Sequence, residues 1–324
     1  MRTLNHHYML LSVLATLLAF SAHAQPYPNK PIKLIVGFAP GGAADYVARN
    51  VSVPLGQALG QPIVVENKPG AGSSIAAEQV AKSPPDGYTI LIASPSSISV
   101  NPALSQKLGY RPSDLAPISK ITSSPVVIAV NPNTGIFTVK DLITKAKQNP
   151  GGLNYATSGN GSAPHLAAAL FSQIADIKMT HIPFRGGSLA IQSVIAGDTQ
   201  LTFGTPPSVL PMIQAGRLRG LAISLKERSP LAPNLQGMRE AGLPDYAIEF
   251  WYGVFVPTGT PPEIIQRLYE ATQTAMKQAN VKASLAREGT DVSVSSSPAQ
   301  FAKFLAEDEK FWVKLVKTAE VSVD

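Results

Sequence analysis

The stretch Ile32-Lys33-Leu34-Ile35-Val36-Gly37-Phe38-Ala39-Pro40-Gly41-Gly42 decides how this chain is read. Its first five residues form a short apolar run rich in branched side chains, and a glycine–proline break ends it. Beyond the break, Ala44, Val47, Ala48, Val51 and Leu55 recur at helical spacing. Strand, glycine turn and helix make the first half of a βαβ unit. Ile63-Val64-Val65 supplies a second strand, Ile75, Ala76 and Val80 a short helix, and Tyr88 to Ala93 a third strand. This alternation predicts a parallel sheet with helices on its faces.

A second α/β stretch begins after Pro125. Val126 to Val130 reads as a strand, and Thr138 with Asp141 opens a helix through a T-x-x-D box. Strands at Leu153–Thr157 and Met179–Phe184 flank a helix from Ser162 to Ile174, and the alternation continues to Ser224. Two sheets are therefore expected. Phe250 to Val256 reads as a further strand. The C-terminal third is mainly helical, with capping boxes read at Thr260–Glu263 and Ser297–Gln300, and its helices are expected to cover the first domain.

The chain has 324 residues, 15% of them charged, and no cysteine. That excludes disulfides, thiolate metal sites, a cysteine nucleophile and a lipoprotein anchor. Arg2, the uncharged apolar run Met9 to Phe20 and Ala22-His23-Ala24 have the shape of a secretory signal peptide cleaved after Ala24. Its removal takes away one charge, lowering the net balance from +6 to +5. No later run is long enough to span a bilayer, so a periplasmic protein is expected. The basic residues are scattered without clusters, which argues against nucleic acid.

Catalytic signatures are scarce. There is no G-x-S-x-G elbow, P-loop or H-E-x-x-H, and outside the signal peptide the only histidines are His165 and His181. Glycine-rich loops stand instead at strand-to-helix junctions: Gly37 to Gly42 before the first helix, and Ser158-Gly159-Asn160-Gly161-Ser162 before the helix carrying His165. A helix N-terminus behind such a loop offers free N–H groups and a partial positive charge, suited to a carboxylate or phosphate oxygen. Two such ends on two domains can hold one small anion. Each also has a plain reading: a glycine turn is ordinary α/β architecture, Asp45 serves equally as a helix-dipole partner, His165 as a structural histidine, Arg185 as a solvated turn residue. Trp251 is either a core aromatic or a residue bordering the cleft, whereas Trp312 reads as core remote from it.

The residues also resemble a known family. Val36-Gly37-Phe38-Ala39-Pro40-Gly41-Gly42 with Asp45, Ala48 and Arg49 is similar to the opening motif of the tripartite tricarboxylate transporter substrate-binding receptors, the Bug receptors. The similarity continues through Val65–Gly72, Pro85-Asp86-Gly87-Tyr88, Tyr155–Ser162, His165-Leu166, Ile182–Gly187, Glu240–Pro244 and Pro257–Pro261. It departs at Gly72-Ser73-Ser74, where the family usually has Gly-Gly-Asn, and at Ala169 and Gln200.

The resemblance implies an α/β, two-domain periplasmic-binding-protein type II fold with a ligand cleft between the domains. The boundaries expected are 25–123 with 247–324 for domain one and 124–246 for domain two. It implies capture of a small carboxylate by a monomer, without cofactor or metal, and delivery to a permease of one large and one small membrane subunit. The candidate ligand-binding residues are Pro40, Gly41, Gly42, Asp45, Ser94, Ser158, Asn160, Gly161, Ser162, His165, Arg185, Gly186 and Thr205. No catalytic residue is assigned. Two alternatives stay open: a receptor reporting to a signalling partner, and a hydrolase of small carboxylate esters using Ser162 with His165.

Overall fold

The computed structural model describes residues 27–104 and 107–318, so the signal peptide read at 1–24 lies outside the described residues. No described helix is long and apolar enough to cross a membrane. The chain runs β1 (Ile32–Val36), α1 (Ala43–Leu59), β2 (Ile63–Asn67), α2 (Ser74–Ala81), β3 (Thr89–Ala93) and β4 (Leu115–Pro125). It then continues as β5 (Val127–Val130), α3 (Val139–Gln148), β6 (Asn154–Thr157), α4 (Ala163–Ala175), β7 (Thr180–Pro183), α5 (Gly187–Ala196), β8 (Leu201–Gly204), α6 (Pro206–Gln214) and β9 (Arg219–Ile223). After a long connection come β10 (Glu249–Pro257), α7 (Pro262–Lys277), α8 (Ala279–Arg287), β11 (Asp291–Val292) and α9 (Pro298–Thr318).

Two sheets form, in the orders β11-β4-β10-β3-β1-β2 and β7-β6-β8-β5-β9. They share one plan. In the first, β2, β1 and β3 are parallel and β10 inserts antiparallel between β3 and β4. In the second, β7, β6 and β8 are parallel and β5 inserts antiparallel between β8 and β9. Each inserted strand is the one reached by crossing from the other sheet, β5 after β4 and β10 after β9. The two crossings are tied at Ser224: its Oγ accepts the Val126 N–H at 2.9 Å and donates to the Ile248 carbonyl.

Both faces of each sheet are buried, which is why the strands are continuous apolar runs. Ile32, Leu34 and Val36 pack on one face of the first sheet with Val47, Val51 and Leu55 of α1, while Ile35 faces the other side with Phe255 and Phe301. In the second sheet, Val126, Ile128 and Val130 point one way, Val127 and Ala129 the other.

Two local expectations are corrected. Thr260 does not cap α7: its Oγ1 donates to the Pro257 carbonyl, and the helix begins after Pro261 with no side-chain cap. The two prolines displace the helix start by one residue, so Thr260 is out of register for a box. Nor does the last helix cover the first sheet alone. Phe301 of α9 packs in the first sheet's cluster with Trp251 and Phe255, whereas Trp312, Leu315 and Val316 join the core of the second. By contrast, the box at Thr138 and Asp141 forms in both directions, at 2.9 and 3.0 Å.

Candidate functional site

In each sheet the strand order reverses between two parallel neighbours, β1 and β3 in one and β6 and β8 in the other. Helices leave such neighbours on opposite sides, which opens a crevice beyond their carboxyl ends where α/β proteins take ligands. Here the two crevices face each other. Between them lies a cavity bordered by Phe38 and Gly42 after β1, Ser94 and Ser96 after β3, Ser158 after β6 and Thr205 after β8. Ala163, Pro164, Gly187, Ser208, Phe250 and Tyr252 complete its walls among others.

Four helices begin at this cavity: α1 after Gly42, α4 after Ser162, α5 after Gly186 and α6 after Thr205. None of the four has a side-chain cap. In α1, α4 and α5 the first-turn N–H groups outside Pro164 lack intrahelical partners; α6 opens on Pro206 and Pro207 and its Ser208 N–H already bonds the Thr205 carbonyl at 3.0 Å, so it contributes the positive end of its dipole alone. Ser94 also borders the cavity; the residue is 5% exposed, and its buried hydroxyl has no protein partner. A buried hydroxyl without a partner is costly to leave unsatisfied.

A second cavity adjoins the first, sharing Phe38 and Ser158 as walls. It is lined by Ala71–Ser73, Ser158–Asn160 and Pro183–Arg185 among others. Ala71 and Ser73 both hold positive φ, 45° and 77°. Ser73 thus occupies a left-handed position where the family pattern has glycine, and its buried hydroxyl is unpartnered. The turn comes so close to the opposite sheet that a Cβ on Gly72 would stand 2.5 Å from the Asn160 carbonyl.

The remaining candidates stand behind these walls. Asp45 is buried, and burial alone would raise its pKa. The Arg49 guanidinium, the Gly41 N–H and the Asn67 amide outweigh that and hold the carboxyl below its ordinary range. Oδ2 accepts from Gly41 N at 3.0 Å and Arg49 Nε at 2.9 Å, and Oδ1 accepts from Asn67 Nδ2 at 3.0 Å. Asn67, from the end of β2, also donates to the Phe38 carbonyl. Asp45 therefore braces the first loop and is on neither lining. His165 Nδ1 accepts the Gly161 N–H at 3.1 Å, which places its proton on Nε2. Its ring stacks on His181 at 3.9 Å, and His181 stacks in turn on Tyr155. Burial, and for His165 also the neighbouring His181, pushes these pKa values down to about 3 and about 4, so both rings are neutral.

Two loop amides expected to face a ligand, Gly41 and Gly161, are thus already donated inward, to Asp45 and His165. Pro40 offers its carbonyl to Ser188 Oγ across the cleft at 3.2 Å. Gly186 lets the sheets' loops meet, since a Cβ there would lie 2.7 Å from Ala39 Cβ. Ser162 Oγ is buried without a partner and makes no hydrogen bond to His165. Sequence reasoning missed the bracing pair Arg49 and Asn67, and the cavity walls Phe250 and Tyr252. The i, i+4 spacing of Asp45 and Arg49 was the available signal for the first.

Comparison with known proteins agrees with this geometry. The family model described as the tripartite tricarboxylate transporter family receptor matches residues 47–321. The chain belongs to that family. It is 34% identical over 315 residues to protein BugT of Bordetella pertussis, covering 95% of this chain and 96% of that one. Among solved structures it is similar to Rhodopseudomonas palustris Rpa4515 with adipate, at 31% identity and TM-score 0.88, over 91% of this chain and 99% of that one. It is also similar to MatC of the same organism with bound malate, at 29% identity and TM-score 0.84, over 90% and 100%. As a tripartite tricarboxylate transporter receptor the chain has the two-domain periplasmic-binding-protein type II fold. The paired switch points are that fold's cleft.

Proposed function

We propose that this receptor works in the periplasm, released by cleavage after Ala24, as a monomer that captures one small carboxylate. Domain one, 25–123 and 247–324, and domain two, 124–246, close on the ligand about the crossings tied at Ser224. The loaded receptor then delivers its ligand to a membrane permease of one large and one small subunit. The observation that carries this reading is the convergence of four uncapped helix N-termini and the unpartnered Ser94 hydroxyl on one cavity between the sheets. Such a site stabilises a carboxylate through fixed dipoles and hydrogen bonds without a counter-charge. The relatives solved with adipate and with malate support the ligand class. In this reading Ser158, Asn160, Arg185 and Thr205, which line the two adjoining cavities, hold the ligand directly. Asp45, Ser162 and His165 act through the loops they support.

The hydrolase alternative is disfavoured by the buried Ser162 hydroxyl and by His165 Nδ1 being occupied. Native mass spectrometry of freshly purified protein tests the receptor reading. The expected spectrum shows a non-covalent adduct of a few hundred daltons or less that exchanges with added carboxylates. An adduct that is cationic or lacks a carboxyl group speaks against it.

A further inference from the structure

Asn160-Gly161 is the one Asn-Gly step in the chain. Such a step is where asparagine is lost most readily, because glycine leaves its own nitrogen unhindered. The Gly161 nitrogen bonds to Cγ of Asn160, the Cγ–Nδ2 bond breaks, and the glycine proton leaves with the ammonia. Water then opens the resulting succinimide to aspartate or isoaspartate. Either product puts a negative charge at a wall of the second cavity, and isoaspartate also adds a methylene to the backbone of that loop.

The fold cannot escape this by changing Gly161. Its φ of 67° lies in the left-handed region, and a Cβ there would collide with Asn101 Oδ1. Asn101 is itself held, since its Nδ2 donates to the carbonyls of Ala71 and Gly72 at 3.0 Å and to Ser74 Oγ at 2.8 Å. The constraint falls instead on the nitrogen. The Gly161 N–H is buried and donates to His165 Nδ1 at 3.1 Å, in the first turn of α4. The next amide, from Ser162, closes onto the Gly159 carbonyl at 3.2 Å, so the backbone beyond the labile step is fixed as well. His165 stacks on His181, whose Nε2 lies 2.6 Å from Thr157 Oγ1, and this sets the plane of the ring. Burial and the neighbouring His181 push the His165 pKa down to about 3, so at neutral pH Nδ1 keeps its lone pair for Gly161.

We infer that His165 guards Asn160-Gly161 against deamidation by holding the Gly161 N–H away from the asparagine side chain. Attack on Cγ requires that hydrogen bond to break and the Gly161 nitrogen to turn, which leaves a buried imidazole nitrogen without its donor. The guard gives a buried histidine that no step of ligand capture uses a task of its own. It goes beyond the receptor reading and holds whatever the cleft binds.

Warming the mature chain in mildly alkaline buffer tests this, with deamidation at residue 160 followed by peptide mass mapping. Wild type unfolded in urea supplies the unguarded rate. Folded wild type is expected to be slower by about tenfold or more, and His165→Phe, which keeps an aromatic ring but loses Nδ1, to regain most of that factor. His181→Phe disturbs the same stack yet leaves Nδ1 of His165 in place, and is expected to match wild type. The inference is overturned if folded wild type deamidates as fast as the unfolded chain, if His165→Phe is no faster than wild type, or if both variants speed up alike. Where His165→Phe does not fold, amide exchange in wild type, read by NMR, decides. A Gly161 amide that exchanges as fast as an exposed loop amide overturns the guard, and a strongly slowed one supports it.

Discussion

Asp45 and Gly186 illustrate two ways a single residue shapes the loops around the cleft. Asp45 turns the first loop by drawing the Gly41 N–H inward, and Arg49 and Asn67 keep its charge from facing the cavity. Gly186 acts by having no side chain. A Cβ there would press to 2.7 Å from Ala39 Cβ and 3.2 Å from Ala39 N, so the loops after β1 and β7 would have to part. The Ser188-to-Pro40 hydrogen bond beside it would stretch with them. Gly186→Ala is therefore expected to leave each sheet folded and to weaken carboxylate binding about tenfold or more, roughly 1.4 kcal/mol. Calorimetry with the ligand recovered from the purified protein checks this, and unchanged affinity would separate loop contact from binding.

Among the elements, α9 carries the most informative carboxylate. Asp308 Oδ2 accepts both indole N–H groups, from Trp251 and Trp312, each at 2.9 Å. Burial raises its pKa to about 6, against the lowering effects of the two indoles and Lys120. A folded-state value above the unfolded one means that the native state binds the extra proton. The associated stability is full below about pH 4 and is lost as pH rises through about 6, a change of about 3 kcal/mol. His165 and His181 act oppositely: both are held neutral, so stability falls as pH drops below their ordinary range. The informative quantity is thus a difference. The stability of wild type minus Asp308→Asn, from urea unfolding, should fall between pH 4 and 7, and a flat difference would mean that Asp308 titrates normally. None of this was legible in the sequence. The strands and glycine turns were, because a run of branched residues ending at Gly37 or Ser158 is a local signal with a local cause. Which face of β10 meets the cleft was not. Phe250 and Tyr252 line the cavity while Trp251 points away, and that alternation has no direction until β10 pairs with β3 and β4, over a hundred residues upstream. The reach of α9 across both sheets was hidden for the same reason, since amphipathic spacing names a buried face without naming what buries it.

At the scale of the whole molecule, three chain segments join the two sheets: the short crossing at Val126, the return at Ile248, and α9. The closure proposed above, about the first two, would have to be accommodated by the third, which is anchored at Phe301 in the first sheet's core and at Trp312, Leu315 and Val316 in the second's. Trp312 stands at the second of these anchors. Its ring lies 5.0 Å from Phe250, itself a wall of the cavity, so a ligand bound there would reach it through one contact. Trp251, adjacent to Phe250 in sequence, faces the opposite side of β10 and is enclosed by Phe255, Phe301 and Phe304, all anchored to the first sheet. The sequence leaves Trp251 open between a core aromatic and a residue bordering the cleft and reads Trp312 as core remote from it; the contacts put Trp251 in the first sheet's core and bring Trp312 against a cavity wall. Ligand addition is therefore expected to change the fluorescence of Trp312 and to leave Trp251 nearly silent. Trp251→Phe should preserve the ligand-induced signal, and Trp312→Phe should remove most of it while calorimetry still detects binding. Because Asp308 accepts from both indoles, each variant also frees one hydrogen bond at that carboxylate, so the signal must be compared at a pH well above 6, where Asp308 is ionised in both. A signal that persists in Trp312→Phe and vanishes in Trp251→Phe would place the moving contact inside the first sheet's own cluster, and closure would then have to pass through β10 rather than α9.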